Sequence, residues 1–360
     1  MISDEASDFS RFSRPILTFA ATATVIIMLT GIFGNLLTVV ALLKCSKVRK
    51  NVTSYFIISL CIADFLFCML VLPFMVIRYI KGSWTHGDGF FCTFIPFVQY
   101  GNVGVSLLCI GMITVQRYIM IAHHSYYAKV YKPNWKLHLM IFFCWLFSYG
   151  FQLPTLFKAW GQFGYDPKLE TCSILPDADG KSSKTALFVI AFVIPCLIII
   201  ICYTRIFWVV HKSQKRLRKH ESSQKVIQSS TTQIATQVHS ISISNNNNLI
   251  NSPAAESPPV NKADAKQKRD EWRITKMVLA IFLSFLACYL PITIIKVADK
   301  NVNHPGVHIF GYIMLYLSAC INPIIYVIMN KQYRQAYKNV LMCKTPRFFS
   351  TFAAGANSQD

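Results

Sequence analysis

Charge is scarce in this 360-residue chain. Asp, Glu, Lys and Arg together make up 14% of it and hydrophobic residues 53%, against roughly 25% charged in a soluble globular domain. That balance excludes an ordinary water-soluble globule and points to a lipid solvent. Acid is scarcer still, 16 residues against 36 Lys and Arg, for a formal net charge of +20. The surplus base falls in short runs between long apolar segments, as cytoplasmic charge does in a membrane protein, so no nucleic-acid partner is expected. The spans hold no His/Asp/Glu cluster at metal spacing and no nucleophile motif, which argues against an enzyme. They also lack an internal repeat or paired interrupted helices, the marks of many transporters. A cleaved secretory signal is not expected either, because Asp4, Glu5 and Asp8 precede a first apolar run too long for a signal peptide.

What is present is apolar length. Seven segments, roughly 16–43, 53–80, 89–122, 136–157, 184–211, 273–297 and 305–329, are each long enough to cross a bilayer as a helix. Lys44, Lys47, Arg49 and Lys50 follow the first directly, and base next to a span favours the cytoplasm. The N-terminus is therefore expected outside. Seven crossings then put the C-terminus inside, in agreement with Lys331, Arg334, Lys338, Lys344 and Arg347. The expected organisation is an all-α, multi-pass plasma-membrane protein: an extracellular N-terminus over 1–15, a seven-transmembrane helix bundle over 16–329, a short amphipathic helix after helix seven over 330–343, and a cytoplasmic tail over 344–360. The third inner loop, 221–265, is Ser/Thr/Gln-rich with four consecutive Asn, and its composition predicts disorder. In the amphipathic helix Tyr333, Tyr337, Val340 and Leu341 recur at helical spacing among Lys331, Arg334 and Lys338, a pattern suited to membrane lipids. Cys343 at its end is a candidate for palmitoylation, a plain cytosolic thiol being the other reading.

Within this topology a few residues stand out. Of the 12 cysteines only Cys92 and Cys172 reach the outer side, which is oxidising, so these two are expected to form a disulfide. Cys92 opens the third segment and Arg117 closes it; at ~1.5 Å per residue the helix between them covers roughly 37 Å, enough to cross the membrane. Asn51-Val52-Thr53 matches a glycosylation acceptor but lies on the inner side, where it is expected to stay unmodified. Asp64 is an acid in mid-membrane, where a charge is expensive and therefore informative. Asn35, Ser106, Ser318 and Asn322 are its candidate neighbours, and such oxygen donors suit bound water or an allosteric Na⁺. Six prolines, Pro73, Pro96, Pro154, Pro195, Pro291 and Pro323, sit inside spans and permit kinks. Pro291 and Pro323 are candidate hinges, whereas Pro73 and Pro154 suit static bends.

Gly34-Asn35, Leu60 with Ala63-Asp64, Cys92, Gln116-Arg117-Tyr118, Trp145, Cys172, Pro195 with Tyr203, Cys288-Tyr289-Leu290-Pro291 and Asn322-Pro323-Ile324-Ile325-Tyr326 stand in the order and spacing of the rhodopsin-like (class A) G-protein-coupled receptors, which the chain resembles. Two residues depart from the family pattern. Gln116 stands where an acid usually precedes the arginine, and Tyr289 where a tryptophan usually precedes the helix-six proline. Together with the long Ser/Asn-rich loop, these departures are most similar to the insect trapped-in-endoderm and moody receptors, themselves similar in part to melatonin-type receptors. That placement implies a role in cell migration, polarity or epithelial barrier organisation.

The resemblance implies a switch at the inner face. Helix six would swing outward, freeing Arg117 to meet Tyr203 and Tyr326 and opening a cleft for the Gα subunit of a heterotrimeric G protein; arrestin is a further implied partner. Gln116 cannot hold Arg117 by charge. Glu271, 20 residues or roughly 30 Å before Pro291 on helix six, can; an exposed ion pair of that kind is worth only ~0–1 kcal/mol. The other reading of Glu271 is a solvated acid beside Asp270 and Arg273. The resemblance also implies an outer pocket among Gln99, Tyr100, Val103, Leu187, Tyr289, Thr293, Lys296, Tyr312 and Tyr316. Amine receptors of the family carry aspartate where Gln99 stands, and retinal binders carry lysine where Tyr316 stands, so neither ligand is expected. Lys296, with Lys184 and Lys158 nearby, suits an acidic lipid, and a peptide is the next reading; a snorkelling lysine explains Lys296 equally well. A transporter or channel using Asp64 as its ion site is the competing function.

Overall fold

The computed structural model describes residues 12–49, 51–212, 215, 262–299 and 301–342. Cys343, the tail 344–360, residues 1–11 of the N-terminal segment and 221–261 of the third inner loop lie outside the described residues, so the expectations for them are not addressed by it.

In lipid every backbone polar group must be satisfied within the protein, which leaves the helix as the economical form for an apolar segment. Among the described residues seven helices are long and apolar enough to cross a membrane: α1 (Arg14–Lys44), α2 (Val52–Lys81), α3 (Phe90–Ala122), α4 (Trp135–Leu156), α5 (Ile194–Lys212), α6 (Glu271–Ala298) and α7 (Pro305–Met329). A shorter helix, α8 (Lys331–Leu341), follows α7 after a single residue. Within α6 the chain continues a longer helix, Lys262–Ala298. Phe19, Leu29, Phe33, Phe142, Ile201 and Ile328 are exposed on the outside of the bundle. Asn35, Thr38, Asp64, Asn102, Gln116 and Arg117 are buried inside it. That inversion is stable where the surroundings are hydrocarbon and costly in water.

Prolines mark where the helices depart from regularity. The second span breaks at Val71 between Val52–Leu70 and Leu72–Lys81, just ahead of Pro73. The fourth breaks after Gly150 and resumes as Leu153–Leu156, which contains Pro154. Before α5 the chain forms a short helix, Lys184–Phe188, and then a π-helical turn, Val189–Val193. Pro195 follows after Ile194; in a regular α-helix its ring would meet the carbonyl four residues earlier, and the wider turn lies where that contact would be. Pro96, Pro291 and Pro323 lie inside continuous helices.

Close approach of α3 and α4 depends on glycine. A Cβ on Gly104 would overlap Ser148 Oγ, which instead donates to the Gly101 carbonyl at 2.8 Å. At the other end of the chain α8 is fastened to the bundle. Asn330 Oδ1 caps it by accepting from the Gln332 N–H at 2.9 Å. Arg334 donates to the Val327 and Ile328 carbonyls at 2.9 Å each, satisfying the open end of α7. The Tyr337 hydroxyl shares a 2.6 Å hydrogen bond with Thr38 of α1.

Between α4 and α5 the chain forms an antiparallel hairpin, β1 (Gln162–Asp166) and β2 (Thr171–Leu175), with Tyr165 opposite Cys172. Cys92 and Cys172 are joined, with Cα atoms 5.2 Å apart, so the hairpin lies over the start of α3.

Candidate functional site

Three groups of polar residues lie along the bundle, one at the disulfide end, one at mid-depth and one at the arginine end.

At the disulfide end the hairpin is held by more than sulfur. Arg78, buried in α2, donates its Nε to the Glu170 carbonyl at 2.9 Å and an Nη to the Leu169 carbonyl at 2.5 Å. Its guanidinium also lies over the rings of Tyr79 at 4.9 Å and Phe12 at 5.6 Å. Sequence reasoning missed Arg78, although a lone arginine near the end of an apolar span was the available signal. Below the hairpin, Tyr100 shares a 3.2 Å hydrogen bond with Ser173 of β2 and lies within electrostatic reach of Lys296 and Lys184. The Lys296 ammonium sits over the Tyr312 ring at 5.1 Å, and Tyr312 stacks on Tyr316 at 6.2 Å. Tyr289 stacks on Phe285 at 4.0 Å. The structure therefore brings Tyr100, Lys296, Tyr312 and Tyr316 into one region. Gln99, Val103 and Thr293 are half-buried, and Thr293 spends its hydroxyl on the Tyr289 carbonyl at 2.9 Å. Leu187 packs with Phe163 and Ile174 of the hairpin, a cluster that Tyr100 also adjoins.

At mid-depth Asp64 Oδ1 accepts from Ser106 at 3.0 Å and Oδ2 from Asn322 at 2.8 Å, joining α2, α3 and α7. A cavity of about 10 Å³ adjoins them, lined by Asn102, Ser106, Tyr289 and Ser318 among others, at the lower limit for one water. Asn102 was not foreseen; its Oδ1 accepts from the Tyr149 hydroxyl at 2.9 Å while its buried Nδ2 has no partner among the described residues. That free donor suits water, and the carboxylate with the Ser106 and Ser318 oxygens suits a small cation. Asn35 is engaged elsewhere: its Nδ2 donates to the Gly31 and Ala319 carbonyls at 2.9 and 2.8 Å, clasping α1 to α7.

At the arginine end the hub is Thr53, which sequence reasoning had considered only as part of an unused glycosylation triplet. Arg117 donates an Nη to Thr53 Oγ1, and Thr53 donates onward to Gln116 Oε1 at 3.1 Å. Gln116 Nε2 donates to the Tyr127 hydroxyl at 3.2 Å, on the short helix His124–Tyr131 that follows α3. Both Gln116 and Arg117 are almost completely buried. Tyr118 lies toward the surface, its hydroxyl 3.3 Å from His123 Nε2. On the facing helices, Tyr203 donates to the Thr275 carbonyl at 3.2 Å, tying α5 to α6. The Tyr326 hydroxyl is buried in α7, three residues past Pro323. The Glu271 carbonyl accepts from Thr275 Oγ1 at 3.1 Å.

Seven spanning helices, a disulfide from the third to a hairpin, and a buried arginine closing that same helix define a seven-helix membrane receptor. Residues 34–326 match the model of the 7 transmembrane receptor (rhodopsin family), and the chain belongs to that family. It is 57% identical, over 98% of its length, to the G-protein coupled receptor moody of Drosophila melanogaster. It is 37% identical, over 93% of its length, to Protein trapped in endoderm-1 of the same fly. The chain covers 56% of the moody receptor and 80% of trapped in endoderm-1, so it spans little more than half the length of the former. The crystal structure of squid rhodopsin matches with a TM-score of 0.71 at 20% identity, covering 100% of this chain and 96% of that one, a likeness of fold. These relatives agree with the resemblance read from the motifs and give the transporter reading no support.

Proposed function

We propose that this chain is a plasma-membrane receptor, N-terminus outside and C-terminus in the cytosol, that activates a Gα subunit when an acidic lipid occupies the pocket around Tyr100, Lys296 and Tyr312. The observation that carries the reading is the placement in one bundle of a cation on an aromatic pocket wall at the disulfide end and of a buried, hydrogen-bonded Arg117 at the other. An anion drawn to Lys296 changes the contacts of α6 with α7, and α6 is also the helix that Tyr203 ties to α5 near Arg117.

In the resting arrangement Thr53 holds Arg117, and Glu271 on α6 adds a longer-range restraint. Outward movement of α6 breaks the Tyr203–Thr275 bond and lets the phenols of Tyr203 and Tyr326 receive Arg117. Asp64, with Ser106, Ser318 and Asn322, holds water or Na⁺ between α2, α3 and α7 and favours the resting packing. Arrestin engages the same cytoplasmic opening, a palmitoyl group on Cys343 anchors the segment after α8, and the biological setting is cell migration or barrier organisation.

A panel of Gα activation assays in cells, with wild type and Arg117→Ala at matched surface expression, tests the coupling. Arginine-dependent activation of at least one Gα class is expected. Equal signalling by both proteins, or none by either across the panel, would sink the proposal.

A further inference from the structure

Two exposed lysines at the arginine end of the bundle point in opposite directions. Lys212 ends α5, and Lys276 lies on α6. There α5 and α6 are in contact, with the Tyr203 hydroxyl on the Thr275 carbonyl and the Phe207 ring edge-on to Trp272 at 6.2 Å. A helical side chain leans toward the N-terminus of its own helix. Because α5 runs toward this end and α6 away from it, the two lysines lean toward a common level. The Lys212 ammonium turns back into the membrane and lies over the Trp208 ring at 4.9 Å. That of Lys276 turns toward the surface and lies over Trp272 at 5.4 Å.

Snorkelling accounts for one of these lysines alone. Lys276 is next to Thr275, at the depth of Tyr203, and by reaching to Trp272 it carries its charge out of the hydrocarbon. Lys212 stands at the far end of α5, where snorkelling would carry it the other way, yet it lies back on an indole. Two like charges brought toward one level call for an anion. Among the described residues no carboxylate is paired with either ammonium; Glu271, beside Trp272, lies within electrostatic reach of Arg117.

Between the lysines, Trp208 (56% exposed), Phe207 (48% exposed) and Trp272 form an aromatic strip across the seam of the two helices. Tryptophan favours the membrane–water interface, where its N–H can donate to a phosphate or ester oxygen. Ile201 stands seven residues before Trp208 and Leu283 seven residues after Lys276, both exposed. That spacing keeps them on the same helix faces, so apolar surface continues from the strip toward mid-membrane.

We infer that the seam of α5 and α6 binds a phospholipid of net negative charge from the leaflet at the arginine end, with its phosphate between Lys212 and Lys276, its ester groups on Trp208 and Trp272, and its acyl chains along Ile201 and Leu283. In the orientation proposed above this is the cytosolic leaflet. A zwitterionic head group brings its own ammonium to the two lysines and loses the match. An acidic protein segment meets the lysines but leaves the exposed apolar surface beyond them uncovered.

The test places the full chain in phosphatidylcholine nanodiscs and adds phosphatidylserine, or further phosphatidylcholine, with brominated acyl chains that quench tryptophan on contact. The signal of Trp208 and Trp272 is the part lost in the Trp208→Phe/Trp272→Phe double variant. Half-maximal quenching of that part is expected at a mole fraction of brominated phosphatidylserine about fivefold below that of brominated phosphatidylcholine, roughly what one lysine contributes at an anionic surface. Lys212→Gln/Lys276→Gln should bring the two lipids level, whereas Arg269→Gln, which removes another exposed charge at the same end, should leave the preference within twofold. In the wild type, phosphatidylserine should slow acetylation of Lys212 and Lys276 by a similar factor relative to Lys129, which lies over Tyr126 at 5.8 Å. Equal quenching by the two lipids, or a preference that survives loss of both lysines, overturns the inference. So does a preference that Arg269→Gln abolishes as fully, since that is the charge of a whole surface and not a site. Protection of the two lysines by an acidic peptide and not by phosphatidylserine would overturn it in favour of a protein partner.

Discussion

At the scale of single residues, the question is what holds Arg117 when its neighbour is neutral. A carboxylate beside the arginine would restrain it by charge; Gln116 restrains it through a shared hydroxyl, since Thr53 accepts from Arg117 and donates to Gln116. Thr53→Val keeps the shape and removes both bonds. A net hydrogen bond contributes about 1 kcal/mol, more when one partner is charged, and about 1.4 kcal/mol is a factor of ten in an equilibrium. Ligand-independent GTP turnover is therefore expected to rise roughly five- to tenfold in Thr53→Val, and less in Glu271→Gln, whose contribution is that of a partly exposed group. An unchanged basal rate in Thr53→Val would remove Thr53 from the switch. Asp64→Asn makes a second test, because it removes the charge while leaving an amide that fits among Ser106 and Asn322. Any dependence of basal turnover on Na⁺, measured against K⁺ at constant ionic strength, should disappear in that variant.

At the scale of elements, the bundle is held by close contacts at particular depths. The α3–α4 contact requires glycine, since a side chain at Gly104 overlaps Ser148 Oγ. Gly104→Val is expected to cost a few kcal/mol through overpacking, read as a loss of thermal stability in detergent, whereas Gly111→Ala, with open space at its Cβ, should change it little. The hairpin is fixed by two different means, the Cys92–Cys172 bond and the fork of Arg78 on two successive carbonyls. Lysine reproduces the charge of Arg78 without the fork. Arg78→Lys should therefore loosen β2, seen as faster amide exchange at Thr171 and Ser173, with the disulfide intact. Exchange equal to wild type would show that the disulfide alone positions the hairpin.

At the scale of the whole molecule, the titratable groups outside the spans set the response to acid. Asp299, just past the end of α6, is held below the usual 3.8 of a carboxylate, chiefly by the backbone N–H of Asn303 and also by that of His304 and by His308. A depressed folded value means that the charged form is favoured by folding: its contribution is present above the unfolded value and is lost as pH falls through the folded one. Asp177, held down first by the Lys181 backbone N–H, follows the same rule. Between pH 5 and 8 neither residue should alter thermal stability, and Asp299→Asn should flatten only the loss seen below about pH 4. A decline at pH 6 in wild type that vanished in Asp299→Asn would contradict this.

Much of the architecture was legible in the chain. An apolar run of span length has one economical form in lipid, so seven such runs already specify seven helices, and oxidising conditions at one end leave Cys92 and Cys172 as partners. Asp64 was legible as a hub because a carboxylate at that depth must find donors. What waited for the tertiary structure were contacts between residues whose own sequence signal is ordinary. Thr53 sits in a triplet that looks like a modification motif, yet becomes the hinge of the arginine cluster 64 positions away. Asn102 and Arg78 meet partners on other helices or on the hairpin. Even Asn35, which motif and burial assign to the centre, spends its amide on two carbonyls and joins α1 to α7. Hydrophobic length is a property of one segment and is decided locally, whereas a buried hydrogen bond needs two segments in register, and only packing of the bundle supplies that.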